Sequence, residues 1–409
     1  MDYISLYKHF FTSKDNGKEV YENRFNSPST IRFKITNKDY PFFVIINNEI
    51  LRLTEQIYSL NSQIIKMVYA DNRIPGIVVH WIIHHILIEE IRMTNEIEGV
   101  SSTRKEIKEL LETTPPKHYK RLFGLVSKYS QLINNVSIDI NDPIDIRKLY
   151  DSSMLKDIEK ENPENIPDGE VFRKEAVEVD SGGKAIHTGI NPESHIIQTM
   201  AEALNILNDE KFSLLVRVAV FHYLFGFIHP FYDGNGRMSR FISSAYLKKE
   251  LDNLCALQLS VSCKMNQKQY YNSFQITNDI RNKGDLTYFV ISFLEIILSG
   301  LNALKESIEE KISHYFYYRK KIFGLKTINS KHNALLDVLL QCTLFDTDNL
   351  TVEQLVQITD HSKATIKKWL SNAEIQPFLV IDRSKRQYRY ALNLEAIDHF
   401  IEESTPDKN

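Results

Sequence analysis

The chain has 409 residues, 43 % of them apolar and 25 % charged, with a formal net charge of −3. That length exceeds what one hydrophobic core usually serves, so two or three domains are expected, and the ordinary composition argues against long disorder. Near-neutral charge gives no whole-chain attraction to nucleic acid or membrane, so any such signal must be local.

Cys255, Cys263 and Cys342 form no CxxC pair, which makes a disulfide framework or a thiolate zinc site a poor reading. Buried core thiols in a reducing, cytoplasmic setting fit better. The opening "MDYISLYKHFFTSKDNGKE" lacks the apolar core of a signal peptide. The most apolar run, "YFVISFLEIILSGL", carries Glu295 at its middle and is too short to span a bilayer, so no membrane partner is expected.

Residues 1–45 are mixed and weakly periodic. "NNEILRLTEQIYSLNSQIIKMV" repeats apolar residues every three or four positions, which predicts an amphipathic helix. "VVHWIIHHILIEEIRMTNEIEG" predicts a second, more buried one. "SSTRKEIKELLETT" has Ser and Thr ahead of Glu106, a helix start, and Thr114–Pro116 stops it. Helix continues over 117–160, until Pro163, Pro167 and Gly169 break it. "EAVEV" and "KAIHTG" around "DSGG" read as a β-hairpin in a helical setting.

Leu214, Val218, Phe221, Phe225 and Ile228 follow a 4-3-4-3 spacing, one face of a buried helix that runs into "HPFYDGNGRMSR", His229 to Arg240. Met238, Phe241, Ile242 and Ala245 resume helical spacing beyond it, so the stretch is a loop between two helices. "DGNG" is also a hairpin-turn signature, but the flanks fit helices better and Pro230 is awkward in a paired strand.

The chemistry of that loop is coherent. Gly234, Asn235 and Gly236 can turn successive N–H groups one way to make an anion nest, and a helix N-terminus follows. Arg237 and Arg240, three apart, share a helix face, and two guanidinium forks suit a polyphosphate. Asp233 at the nest is the kind of lone carboxylate that holds magnesium beside phosphates. His229 can be neutral at pH 7 and accept a proton. General base, metal ligand and phosphate clamp together describe transfer at phosphorus.

"HPFYDGNGRMSR" resembles the Fic motif, HxFx(D/E)GNGRxxR, at every defined position. The resemblance implies a helical Fic fold and transfer of AMP from ATP to a Ser, Thr or Tyr hydroxyl of a target protein or of the chain itself. It implies His229 as the base, Asp233 on Mg2+, and Gly234, Asn235 and Gly236 in the anion hole. Arg237 would bind the phosphates, Arg240 the γ-phosphate, and Phe231 would anchor the loop. The hairpin over 176–188 occupies the place of the family's flap, which pairs with the target segment, although an ordinary surface hairpin reads the same way. "YYNSFQITN" resembles the adenine-contacting segment, with Tyr271 and Asn278 at matching positions and Tyr270 in the core.

"TNEIEG" resembles the family's inhibitory motif, (S/T)xxxE(G/N), through Thr94, Glu98 and Gly99, with Asn95 where many relatives have Ser. Its position ahead of the catalytic motif implies an N-terminal inhibitory helix whose Glu98 pairs with Arg240. The plainer alternative is a solvated Glu near a glycine helix end. His80 and His84 are four apart, but Trp81 stands where HExxH needs Glu, so buried helix histidines are the reading.

Towards the end, helix, helix, a Ser-started helix over "SKATIKKWLSNAE" and two strands in "FLVIDRSKRQYRYAL" make a winged-helix pattern, with Trp369 in its core. From His361 to Tyr390 seven Lys or Arg stand against Glu374 and Asp382. Lys363, Lys367, Lys368, Arg383, Lys385 and Arg386 are the candidate DNA contacts, although winged helices also dock proteins or dimerise.

The expectation is a mainly α protein: a Fic helical fold with a β-hairpin flap, plus a small α+β winged-helix domain. Residues 1–115 form an N-terminal helical region, 116–305 the Fic core and 320–409 the winged helix. The leading function is an autoinhibited, ATP- and Mg2+-dependent protein adenylyltransferase, cytoplasmic and homodimeric. A DNA-binding regulator with a nucleotide-sensing core is the alternative, as is a Fic enzyme that removes AMP or transfers another nucleotide.

Overall fold

Apolar periodicity along this chain resolves almost entirely into helices, and the computed structural model describes residues 3–71, 73–112, 118–180, 185–325, 329–345, 348–384 and 387–404. Two short helices, α1 (Leu6–Thr12) and α2 (Lys18–Phe25), come first. β1 (Thr30–Asn37) and β2 (Tyr40–Ile45) form an antiparallel hairpin, with Thr30 opposite Ile45 and Asn37 opposite Tyr40. The sequence reading finds no strands there. Phe42, Phe43 and Val44 are all fully buried, so this strand shows no polar alternation to read.

α3 (Asn48–Tyr69) buries Ile50, Leu53, Ile57, Leu60, Ile64 and Val68, the expected three-and-four spacing. α4 (Gly76–Ile97) follows, then α5 (Arg104–Leu111), where the Thr103 hydroxyl accepts the Glu106 N–H as a cap. The stop expected at Thr114–Pro116 lies outside the described residues. α6 (Phe123–Ile133) and α7 (Pro143–Tyr150) lead into a π-helical turn, Asp151–Leu155, and α8 (Lys156–Glu161). β3 (Glu178–Asp180) and β4 (Ala185–Thr188) make the expected hairpin, shorter than its sequence signal; its tip, 181–184, lies outside the described residues.

α9 (Glu193–Asn208), α10 (Leu214–Ile228) and α11 (Asn235–Leu247) build the centre, followed by α12 (Asn253–Ala256), α13 (Leu259–Met265), α14 (Gln267–Asn278) and α15 (Thr287–Gly324). Every residue of α10 except Arg217 and Gly226 is buried. The helix is thus enclosed on all sides rather than on the one face its spacing suggests. Phe42 of β2 meets its Tyr223 and Phe227 edge-on.

Two compact units result: Met1–Ile65 with Ile86–Ala303, and Lys66–His85 with Leu304–Asn409. The chain passes between them within α3, α4 and α15. The apolar run read as too short for a bilayer belongs to the 38-residue α15, which is long and apolar enough to cross one; 67 % of its most apolar window is buried in the protein, as in a core helix.

In the second unit α16 (Asn333–Phe345) is followed by β5 (Leu350–Thr351), α17 (Val352–Thr359), α18 (Lys363–Leu370), β6 (Leu379–Asp382), β7 (Arg389–Leu392) and α19 (Leu394–Ser404). The strands form one antiparallel sheet, order β5-β7-β6. Thr351 and Gln354 form a capping box at α17, and the Ser362 hydroxyl caps α18. Two expectations need correction. His80 is exposed and His84 half-buried, their rings 4.1 Å apart, because Trp81 and Ile82 take the buried side of α4. Trp369 is half-buried, set edge-on to His332 and His361, while Ile366 and Leu370 fill the core. The three cysteines are buried.

Candidate active site

The site forms where α10 ends and α11 begins. His229 caps α10 in the left-handed region (φ 51°), a conformation uncommon outside glycine. Phe231 is fully buried, stacked on Tyr150 at 3.8 Å and edge-on to Phe172. The Asn235 side chain closes the loop by accepting from Phe231 N (2.9 Å) and donating to Phe231 O (2.8 Å). That engagement holds the Asn235 side chain against the Phe231 backbone, while its own backbone N–H stands at the start of α11. Gly234 has φ 81°, and a Cβ there would also fall 2.9 Å from Met154 Sδ of the π turn, so glycine is required twice over.

The first helical bond of α11 runs from Met238 N–H to Gly234 O, so the N–H groups of Asn235, Gly236 and Arg237 have no acceptor within the helix. Arg237 is buried, and its Nε has no hydrogen-bond partner among the described residues. Three N–H groups without a helical acceptor, the helix dipole and that guanidinium N–H form an anion cradle. Asp233 Oδ1 accepts from Gly234 N–H and from Arg237 Nη2 at 3.3 Å. Among the described residues no group of three His, Cys, Asp or Glu could hold a metal ion. A lone carboxylate beside an anion cradle nevertheless fits magnesium, whose other ligands are then phosphate and water oxygens.

His229 is held neutral. Burial pushes its pKa down to about 4, with the Gly226 carbonyl opposing and the Arg173 charge adding to the fall. Its Nδ1 is buried and has no hydrogen-bond partner among the described residues.

The end of α4 reaches the cradle. Arg240 is 1 % exposed and donates from Nη2 to Glu98 Oε1 at 2.7 Å, from Nε to Thr94 Oγ1 at 3.0 Å and from Nη2 to Thr94 O at 3.0 Å. Burial is the largest influence and disfavours the guanidinium charge, but the Glu98 carboxylate, together with Tyr270 and Cys263, moves the Arg240 pKa up. A Cβ on Gly236 would fall 2.1 Å from Glu98 Oε1, so the carboxylate lies directly against the first turn of α11. Gly99 turns the chain away at φ 73°.

α14 sets Tyr271 at the end of α4, its hydroxyl 3.5 Å from Ile97 O, and Asn278 two turns on. The Asn278 side-chain oxygen accepts the Tyr223 hydroxyl at 2.8 Å. Tyr270 is buried, its hydroxyl 2.7 Å from His222 Nε2.

Sequence reasoning missed Glu90. It lies one turn before Thr94 and two before Glu98 on α4, and it is fully buried. Its carboxylate accepts from Ser260 N and Ser260 Oγ, both at 2.7 Å, and from Ser244 Oγ at 3.3 Å. Burial raises its pKa to about 7 against the Ser260 bonds. The i, i+4, i+8 spacing of Glu90, Thr94 and Glu98 was the available signal, though nothing local marks Glu90 as buried.

In the other unit the basic residues divide. Lys363 is paired with Glu353, and Arg389 with Asp348 at 3.4 Å. Lys367, Lys368 and Arg383 are exposed, Arg383 lying 5.7 Å from the Tyr388 ring centre. Lys385 and Arg386 lie outside the described residues.

The two central helices of this helical core are thus joined by a glycine-rich anion cradle, with a buried histidine beside it. Residues 142–247, which hold the cradle, match the model of the Fic/DOC family. No curated protein matches the chain. Among solved structures it is similar to a Fic family protein from Desulfovibrio desulfuricans G20, at 19 % identity and TM-score 0.51 over 85 % of this chain and 97 % of that one. It is also similar to Fic-1 from C. elegans, at 17 % identity and TM-score 0.42 over 64 % of this chain and 73 % of that one.

Proposed function

We propose that the protein is an adenylyltransferase for protein hydroxyls, held inactive by Glu98. Fic domains generally transfer nucleotides or AMP to proteins, and the finer reading rests on one observation: the Glu98 carboxylate holds Arg240 and lies on Gly236, where phosphate would bind. With Glu98 displaced, Arg240 is free for the γ-phosphate, while Arg237 and the N–H groups of α11 hold the remaining phosphates. Asp233 would hold magnesium, which when bound neutralises phosphate charge. His229, neutral at pH 7, takes the proton of the incoming hydroxyl. The hydroxyl oxygen bonds to the α-phosphorus, the bond to the β-phosphate oxygen breaks, and pyrophosphate leaves. Tyr271 and Asn278 are the candidate adenine contacts, and β3–β4 the edge for an extended target segment. Labelled ATP with magnesium tests this: Glu98→Gly should incorporate AMP and Glu98→Gly/His229→Ala should not. Equal labelling by wild type and Glu98→Gly would remove the inhibition reading, and an adduct mass other than AMP would change the donor.

A second reading is a nucleic-acid-binding regulator whose last unit is a winged helix. The exposed Lys367, Lys368 and Arg383 favour it, with fewer cations than the sequence count suggests because Lys363 and Arg389 are paired. A salt-dependent gel shift on random duplex would support it, and no shift at low salt would point to protein docking.

A further inference from the structure

Arg173 is fully buried, and each of its hydrogen bonds among the described residues goes to a backbone carbonyl. Nε donates to His229 O at 2.8 Å, Nη1 to Glu175 O, and Nη2 to Ile190 O at 2.9 Å and Ile228 O at 3.4 Å. Burying a cation without a carboxylate is costly unless dipoles replace water. Here they do, because Ile228 and His229 end α10, the negative pole of a helix whose last carbonyls lack helical partners. The other two acceptors stand on the two legs of the hairpin, Glu175 before β3 and Ile190 after β4.

More bonds join the same parts. Arg173 N–H donates to Pro230 O at 3.2 Å and Ile190 N–H to Ile228 O at 3.1 Å. His187 of β4 bonds Phe227 O at 2.7 Å and stacks on the Phe227 ring at 4.6 Å. Gly189 packs so closely that a Cβ would fall 2.4 Å from Arg173 Nη2 and 3.1 Å from His229 Cβ. His229 meanwhile keeps a left-handed backbone, which costs about 1 kcal/mol or more and persists only where its surroundings enforce it.

We propose that Arg173 is the positioning residue of the base: its guanidinium fixes the left-handed turn at His229 and ties it to both legs of the β3–β4 hairpin, so that base and target edge are held as one piece. A planar fork of five donors can reach four carbonyls in different directions; a lysine ammonium, with three donors on a flexible stem, cannot. The inference rests on His229 and the hairpin having the roles proposed above.

The test compares Arg173→Lys with its parent in the Glu98→Gly background. At saturating ATP and magnesium the rate of AMP incorporation should fall by about 100-fold, as expected for a displaced reacting group, while calorimetric ATP affinity changes by less than about twofold. A full rate in the lysine variant would overturn the proposal, because charge alone would then suffice. Parallel loss of rate and ATP affinity would overturn it too, since the residue would be merely structural. If Arg173→Lys does not fold, Gly189→Ala, which presses on the same guanidinium, should give the same split. A parent that does not label sinks the adenylyltransferase reading instead; the His229 imidazole titration by NMR, assigned with His229→Ala, then decides. Its pKa should rise from about 4 towards about 6.5 in Arg173→Lys, and an unchanged titration would refute the positioning role.

Discussion

Glu98→Gly removes a carboxylate, on a side chain itself 27 % exposed, that is bonded to a guanidinium only 1 % exposed. On the proposed function, nucleotide would have to break that 2.7 Å bond before Arg240 could turn to a phosphate. A hydrogen bond to a charged group contributes about 1.5–3 kcal/mol, so its removal should tighten ATP–Mg2+ binding roughly 10- to 150-fold. Stability should move the other way. Without nucleotide or Glu98, Arg240 keeps, among the described residues, its two bonds to Thr94. Breaking a buried pair costs about 3–5 kcal/mol, which partial exposure of Glu98 reduces to about 1–3. Calorimetry in a His229→Ala background, where nothing turns over, reads the affinity, and thermal melts with and without ATP–Mg2+ read the stability. Equal affinity with and without Glu98 would refute the competition outright. A variant that melts no earlier when empty would show that the pair is not buried as described.

His229 has a folded pKa of about 4 against an ordinary 6.5, so it is neutral across the physiological range. AMP transfer by Glu98→Gly should show no loss from this group between about pH 8 and pH 5, and a midpoint near 6.5 would contradict its burial. In stability the sign is that of a depressed pKa: the contribution, on the order of 3 kcal/mol, is full above 6.5 and lost as pH falls through about 4. Glu90 has the opposite sign. Raised from 4.5 to about 7, it favours folding fully below about 4.5 and loses that advantage as pH rises through about 7. Melts at pH 5 and pH 8 should therefore differ less in Glu90→Gln than in wild type, and an unchanged difference would exclude Glu90 as the titrating group. Phe231→Ala should cost roughly 3–5 kcal/mol by emptying the space against Tyr150 and Phe172; denaturant melts test it, and a loss under about 1 kcal/mol would mean that the loop is anchored elsewhere.

Much of this site is legible in the sequence because it is local. The cradle lies within twelve consecutive residues, and Gly234, the free N–H groups and the start of α11 follow from neighbouring φ/ψ choices. The β3–β4 hairpin is marked by its own turn residues. The β1–β2 hairpin is not, because Phe42, Phe43 and Val44 are buried together and erase the alternation that announces a strand. The side-chain engagement of Asn235 was equally hidden, since a Gly–Asn–Gly turn reads the same whether its amide faces a ligand or Phe231.

The sequence by itself determined the identity and order of the chemical groups: a histidine, a carboxylate, a nest and two arginines, in a loop between two helices. Only the tertiary structure decided what each group meets. Glu98 and Arg240 are 142 residues apart, Arg173 and His229 56, and Glu90 and Ser260 170. Contacts at such separations arise from helix packing, which no short-range spacing encodes. They decide that Arg240 faces the Glu98 carboxylate, and that the backbone of His229 is bound by Arg173.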